Sequence, residues 1–133
     1  MEKVNFKELK QLNLYNCGIS DIGFLEKVKF DKLEKLDLGG NVISNITKLE
    51  NINLKELKAL YLFRCGISDI GFLEKVKFDK LEKLDLGVNK ISNITILENI
   101  NFKELKELVL SLNDTELKNL KIKSNNNLKI IKW

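Results

Sequence analysis

The chain has 133 residues, 44% of them hydrophobic and 32% charged, with a net charge of +4. That is the size and balance of one folded domain and excludes a disordered chain. No apolar run approaches the ~18 residues a membrane span needs, MEKVNFKELK carries no secretory h-region, and the lack of histidine excludes His-based catalysis and most zinc sites.

In chain order, residues 2–9 (EKVNFKEL) match 26–33 (EKVKFDKL), so the chain opens on the tail of a repeat. The first predicted strand lies in LKQLNLYNCGI at 9–19. It recurs as LEKLDLGGNVI (33–43), LKALYLFRCGI (57–67), LEKLDLGVNKI (81–91) and LKELVLSLNDT (105–115), a period of 24. The 23 residues at 17–39 return unchanged at 65–87, so odd and even copies alternate with a super-period of 48. Within LxLxx, alternation puts two leucines on one face and the variable residues on the other. One turn cannot bury its apolar side, but stacked turns share a continuous core. Parallel strands are therefore predicted around Leu12, Leu36, Leu60, Leu84 and Leu108, all in one sheet.

After each strand Cys17, Asn41, Cys65, Asn89 and Asn113 recur at one position, where Asn can satisfy backbone groups and a small Cys can replace it. Cys17 and Cys65 sit two turns apart, about 10 Å at ~4.8 Å per strand, beyond the ~7 Å a disulfide spans. Both are predicted free and buried, and unpaired thiols point to a reducing, cytoplasmic location. Ser20, Ser44, Ser68 and Ser92 precede a short apolar pattern, read as N-caps of about two helical turns on the outer face. Gly23 and Gly71 weaken those helices.

The ends depart from the pattern. LKNLKIKSN at 117–125 fits the strand consensus again only 12 residues after Leu105, so the helical segment of the fifth repeat is expected to be missing. NLKIKSNNNLKIIKW then reads as a hairpin around an Asn-rich turn, part of an irregular cap over 112–133 with Trp133 covering apolar edge. A short helix over 114–120 is the competing reading. At the other end no turn covers Phe6, Leu9, Leu12 and Leu14. The expectation is a fragment of a longer array, or an edge that associates with a partner or a second copy.

The pattern LxxLxLxx(N/C)xI, in phase over five registers, resembles the leucine-rich repeat family across nearly the whole chain. The segment S(D/N)I..LE(K/N)(V/I).F looks most like the short-repeat type of bacterial internalins and phosphatase regulatory subunits, whose usual unit is slightly shorter than 24. The resemblance implies a single domain over 1–133. Its fold would be a right-handed α/β solenoid with a parallel sheet on the concave face and short helices or turns on the convex face. It also implies a protein-interaction module with no chemistry, cofactor or metal of its own.

The residues themselves offer little chemistry. The four serines have no base beside them, and Gly39-Gly40 precedes no Lys-Ser/Thr pair. Asp37 and Asp85, about 10 Å apart, are too distant to share a metal. The lysines alternate with glutamates as on a solvated surface. Only 111–133 is basic, with five lysines against Asp114 and Glu116, so nucleic-acid binding is not favoured. There remains the outward face of the strands, with one row of Asn13, Asp37, Tyr61, Asp85 and Val109 and another of Tyr15, Gly39, Phe63, Gly87 and Ser111. The aromatics are hot-spot candidates for a protein or peptide partner, with Asp37, Asp85 and Arg64 orienting it. Tyr15 and Phe63 can equally fold over bare Gly39 and Gly87 to protect backbone. The competing function is a structural unit assembling through the N-terminal edge.

Overall fold

A computed structural model of the chain describes residues 4–124 and 128–132. In chain order its strands are β1 (Val4–Asn5), β2 (Gln11–Asn13), β3 (Val28–Lys29), β4 (Lys35–Asp37), β5 (Ala59–Tyr61), β6 (Lys83–Asp85), β7 (Asn101–Phe102), β8 (Glu107–Leu110), β9 (Lys123–Ser124) and β10 (Lys129–Lys132). Six of them form one sheet in the order β10-β8-β6-β5-β4-β2, every pair parallel. The register runs Leu12, Leu36, Leu60, Leu84, Leu108, Ile130, each residue beside its equivalent on the next turn. The leucine alternation explains this. Leu36, Leu60, Leu84 and Leu108 are at most 1% exposed, as are Leu38, Leu62, Leu86 and Leu110 two residues on, so two leucine rows per strand line the same core.

The outer side is made of short 3-10 helices at Gly23–Lys27, Ile46–Asn51, Gly71–Glu74 and Thr95–Asn99. Their fully buried Leu25, Leu49, Leu73 and Leu97 close the core from that side. The residue after each serine, rather than the serine, holds the entry. Asp21, Asn45, Asp69 and Asn93 each accept, through Oδ1, the backbone N–H two residues on. Ser44 instead donates its hydroxyl to the Ser20 carbonyl of the preceding turn at 3.0 Å. Gly71 belongs in this arrangement, because a Cβ there would stand 3.1 Å from Asp69 Oδ1.

Two expectations at the C-terminal end are corrected. The fifth repeat keeps its helical segment, α1 (Asp114–Asn119), held by a capping box between Asn113 and Glu116. The segment after it is not a hairpin, since β9 pairs with β7 and β10 with β8, both parallel. The physical cause is spacing. Leu117 and Leu120 recur at a helical interval and are half-buried against the core. The next strand is in register 22 residues after Leu108 instead of 24. Trp133, assigned to cover the apolar edge, lies outside the described residues.

The bend position also divides. Asn41 is 1% exposed; its Oδ1 accepts from Cys17 and Ile19 N–H, each at 3.0 Å, and its Nδ2 donates to Leu14 O, Leu38 O and Gly39 O. Asn89 makes the same five bonds to Cys65, Ile67, Leu62, Leu86 and Gly87. Each Asn thus ties its own turn to the one before. Asn113 departs from this role, because α1 begins immediately after it and takes its side chain as the cap. Both cysteines are free, but only Cys65 is buried; Cys17 is exposed. The Cys65 thiol donates to Leu38 O of the preceding turn at 3.2 Å. Among the described residues no strand lies beyond β2 to cover Cys17 in that way.

Candidate functional site

The strand face opposite the core carries three rows, because i, i+2 and i+4 share a face. The middle row sets Asn13, Asp37, Tyr61, Asp85 and Val109 side by side, with Ile131 beyond. The row before it aligns Gln11, Lys35, Ala59, Lys83 and Glu107. Sequence reasoning missed this row. The signal was available in the repeated KLDLG at 35–39 and 83–87, where alternation puts Lys on the face of Asp and Gly.

The missed row reshapes the centre. Ala59 is small, and the ammonium groups of Lys35 and Lys83, on the strands either side, both stand 5.3 Å from the centre of the Tyr61 ring. Cation–π attraction of this kind fixes the orientation of the ring. Lys83 also pairs with Glu107 at 3.1 Å, and the bond it donates to the Glu107 carboxylate holds its amine above the usual lysine range. Tyr61 is half-buried and central, flanked by an acid on each side.

Those acids have a structural task as well. Asp37 Oδ1 accepts Gly39 N–H and Asp85 Oδ1 accepts Gly87 N–H, each at 2.9 Å. Asn13 does the same for Tyr15 at 2.9 Å. Half-burial pushes the Asp85 carboxyl above the ordinary carboxylate range, with Asp37 and Glu107 adding to the push against Gly87 N–H and Lys83.

The third row holds Tyr15, 52% exposed, and half-buried Phe63. A Cβ on Gly39 would lie 3.2 Å from the Tyr15 ring and 3.3 Å from Phe63 O, so Tyr15 does lean on bare backbone. Arg64 is exposed on the turn after β5, with φ 53, and its N–H donates to Gly87 O. Val109 is only 5% exposed and offers little surface, packed between Asp85 and Ile131 in register. Of the eight candidates, the strands bring Asn13, Asp37, Tyr61, Asp85 and Val109 into one row, with Tyr15 and Phe63 beside it and Arg64 on the rim. Among the described residues no group of three or more Cys, Asp or Glu is placed to hold a metal, and no helix is long and apolar enough to cross a membrane.

The family model described as Leucine Rich repeats (2 copies) matches residues 7–51 and again 55–99. This chain belongs to the leucine-rich repeat family. Internalin C2 from Listeria monocytogenes, a solved structure, is similar in fold, with a TM-score of 0.58 at 22% identity. The match covers 90% of this chain and 62% of that one. No curated protein sequence matches this chain. Leucine-rich repeat domains generally mediate protein–protein interaction and are typically non-enzymatic scaffolds.

Proposed function

We propose that this leucine-rich repeat domain binds a protein or peptide partner through the concave strand face. The observation that carries this reading is Tyr61, an aromatic ring at the middle of the sheet, oriented by Lys35 and Lys83 and flanked by Asp37 and Asp85. A rigid surface with ordered aromatic anchors loses little entropy on binding, so few contacts suffice. Replacing Tyr61 and Phe63 together with Ala weakens a cognate partner by roughly 2–4 kcal/mol. Substitutions at exposed Ser44 or Ser92 on the helical side leave the affinity near that of the wild type. Binding is measured beside folding, and a folded double variant with full affinity moves the site to another face.

A second reading has its own observation. Leu12 and Leu14 of the first turn are half-buried and Phe6 is 47% exposed, whereas their equivalents Leu36, Leu38 and Phe30 are at most 3% exposed. Association of a second copy along β2 would bury them. A molecular mass that stays at one chain through high micromolar concentration removes this reading.

A further inference from the structure

The repeat supplies its own control for the edge at β2. Segments 17–39 and 65–87 are identical, so any difference between them comes from what lies beside them. Cys65 and Phe72 are at most 2% exposed, and the Cys65 thiol bonds Leu38 O of the turn that covers it. Cys17 is exposed and Phe24 is 46% exposed. Leu14 is half-buried where Leu62 is fully buried. The same chemistry that is covered on the third turn therefore stands open on the first.

The backbone and the side chains of β2 suit pairing. Lys35 N–H donates to Lys10 O at 3.0 Å and Leu14 N–H donates to Asp37 O at 2.8 Å, so Lys10 and Leu14 direct these groups toward β4. Backbone groups alternate sides along a strand, and those of Gln11 and Asn13 face the open side. The side chains of β2 are uncharged, whereas β4 and β6 carry Lys35 with Asp37 and Lys83 with Asp85. The opposite edge, β10, carries Lys129 and Lys132. Lysines are the usual protection of an edge strand, and β2 has none.

The lysines of β10 also disfavour stacking head to tail. Lys132 lies in register with Leu110, in the row that continues Leu14, Leu38 and Leu62. Laying β10 of one copy along β2 of the next would press Lys132, now paired with Asp114 at the surface, onto Leu14. Covering a charged group in a leucine row is costly. An antiparallel pairing of β2 with β2 avoids this. Leu12 then faces Leu12 of the second copy on a two-fold axis, core beside core. Gln11 and Asn13 of the second copy exchange both backbone hydrogen bonds and set neutral amides opposite each other. Lys10 comes beside Leu14, its stem on the leucine and its ammonium at the rim.

Given association of a second copy along β2, on which this rests, we infer that the two copies pair antiparallel about a two-fold axis through Leu12. The assembly closes at two chains, because each copy uses the same edge. The two six-stranded sheets become one, with their concave faces continuous.

The test is sedimentation equilibrium of the whole chain and two double variants from low to high micromolar concentration. Gln11→Lys/Asn13→Asp gives β2 the sequence of β4 and β6, and Gln11→Glu/Asn13→Asp takes its acids from the equivalent positions of Glu107 and Asp37, so both keep the fold. Across the two-fold axis, position 11 faces position 13. The first variant therefore sets opposite charges against each other and the second sets like charges. The expected wild type reaches the mass of two chains and goes no further. The first variant is expected to associate at least as tightly, and the second about tenfold more weakly or worse. Head-to-tail stacking would place position 11 beside Lys129 and reverse that order. Masses beyond two chains, or any other order of the variants, overturn the two-fold pairing while leaving association along β2 standing. A wild type that stays at one chain throughout, or a dimer that neither variant alters, removes both.

Discussion

At the scale of single residues, identical sequence does not produce identical environment. Cys17 and Cys65 begin the same 23-residue segment, yet one is exposed and the other buried. Burial pushes the Cys65 thiol up to about 11, so at pH 8 almost none of it is the reactive thiolate. A thiol reagent at that pH is expected to label one cysteine rapidly, at Cys17, and the second only on unfolding. Two fast thiols, identified by peptide mapping, refute the placement of Cys65. Val88 shows a different mismatch. It has φ 53 and is 42% exposed, at the position where the equivalent turns have Gly40 with φ 74 and Asn16 with φ 51. A β-branched residue is strained in the left-handed region, and an exposed one recovers little by burial. Val88→Asn is expected to raise stability by about 0.5–1 kcal/mol, read from the urea midpoint at unchanged slope. An unchanged or lowered midpoint means that the strain is absent.

At the scale of elements, the repeat assigns one position two different tasks. Asn41 satisfies buried backbone on two successive turns, while Asn113 caps a six-residue helix at the surface. Asn41→Ala strands several buried groups at once and is expected to cost about 3 kcal/mol. Asn113→Ala removes an exposed cap and is expected to cost about 1 kcal/mol. Equal losses in parallel denaturations contradict this division. The same contrast shows what the sequence made legible. Five leucine registers in phase dictated the parallel sheet, and the core leucines stand where alternation put them. The parallel pairing of the sixth strand was not legible: its run at 129–132 was read as one arm of a hairpin, because 117–122 reads LKNLKI, and its LxxL interval serves a helix turn as well as a strand consensus. Only the capping pair Asn113 and Glu116, three residues apart, pointed to the helix. On the concave face two rows were legible and the third, Lys35 to Glu107, was not. The consensus draws attention to the positions after the second leucine and away from those before it.

At the scale of the whole molecule, a solenoid is close to one-dimensional, and each turn depends on its neighbours. The turns are linked outside the sheet too. Lys32–Glu8, Lys58–Glu34, Lys80–Glu56 and Lys106–Glu82 each pair residues one repeat apart. These pairs are exposed and contribute little singly, so cohesion rests on the leucine rows. That makes the cost of losing a leucine a measure of how completely its turn is covered. Leu60, on the middle strand β5, is fully buried, and Leu60→Ala is expected to cost about 3 kcal/mol. Leu12, on edge strand β2, is half-buried, and Leu12→Ala is expected to cost about 1 kcal/mol in dilute solution. If a second copy covers β2, the Leu12 cost rises toward that of Leu60 as protein concentration rises, because association stabilises only the folded wild type. Denaturation of both variants at low and high micromolar concentration separates the cases. A Leu12 cost that stays near 1 kcal/mol throughout rules out self-association along this edge.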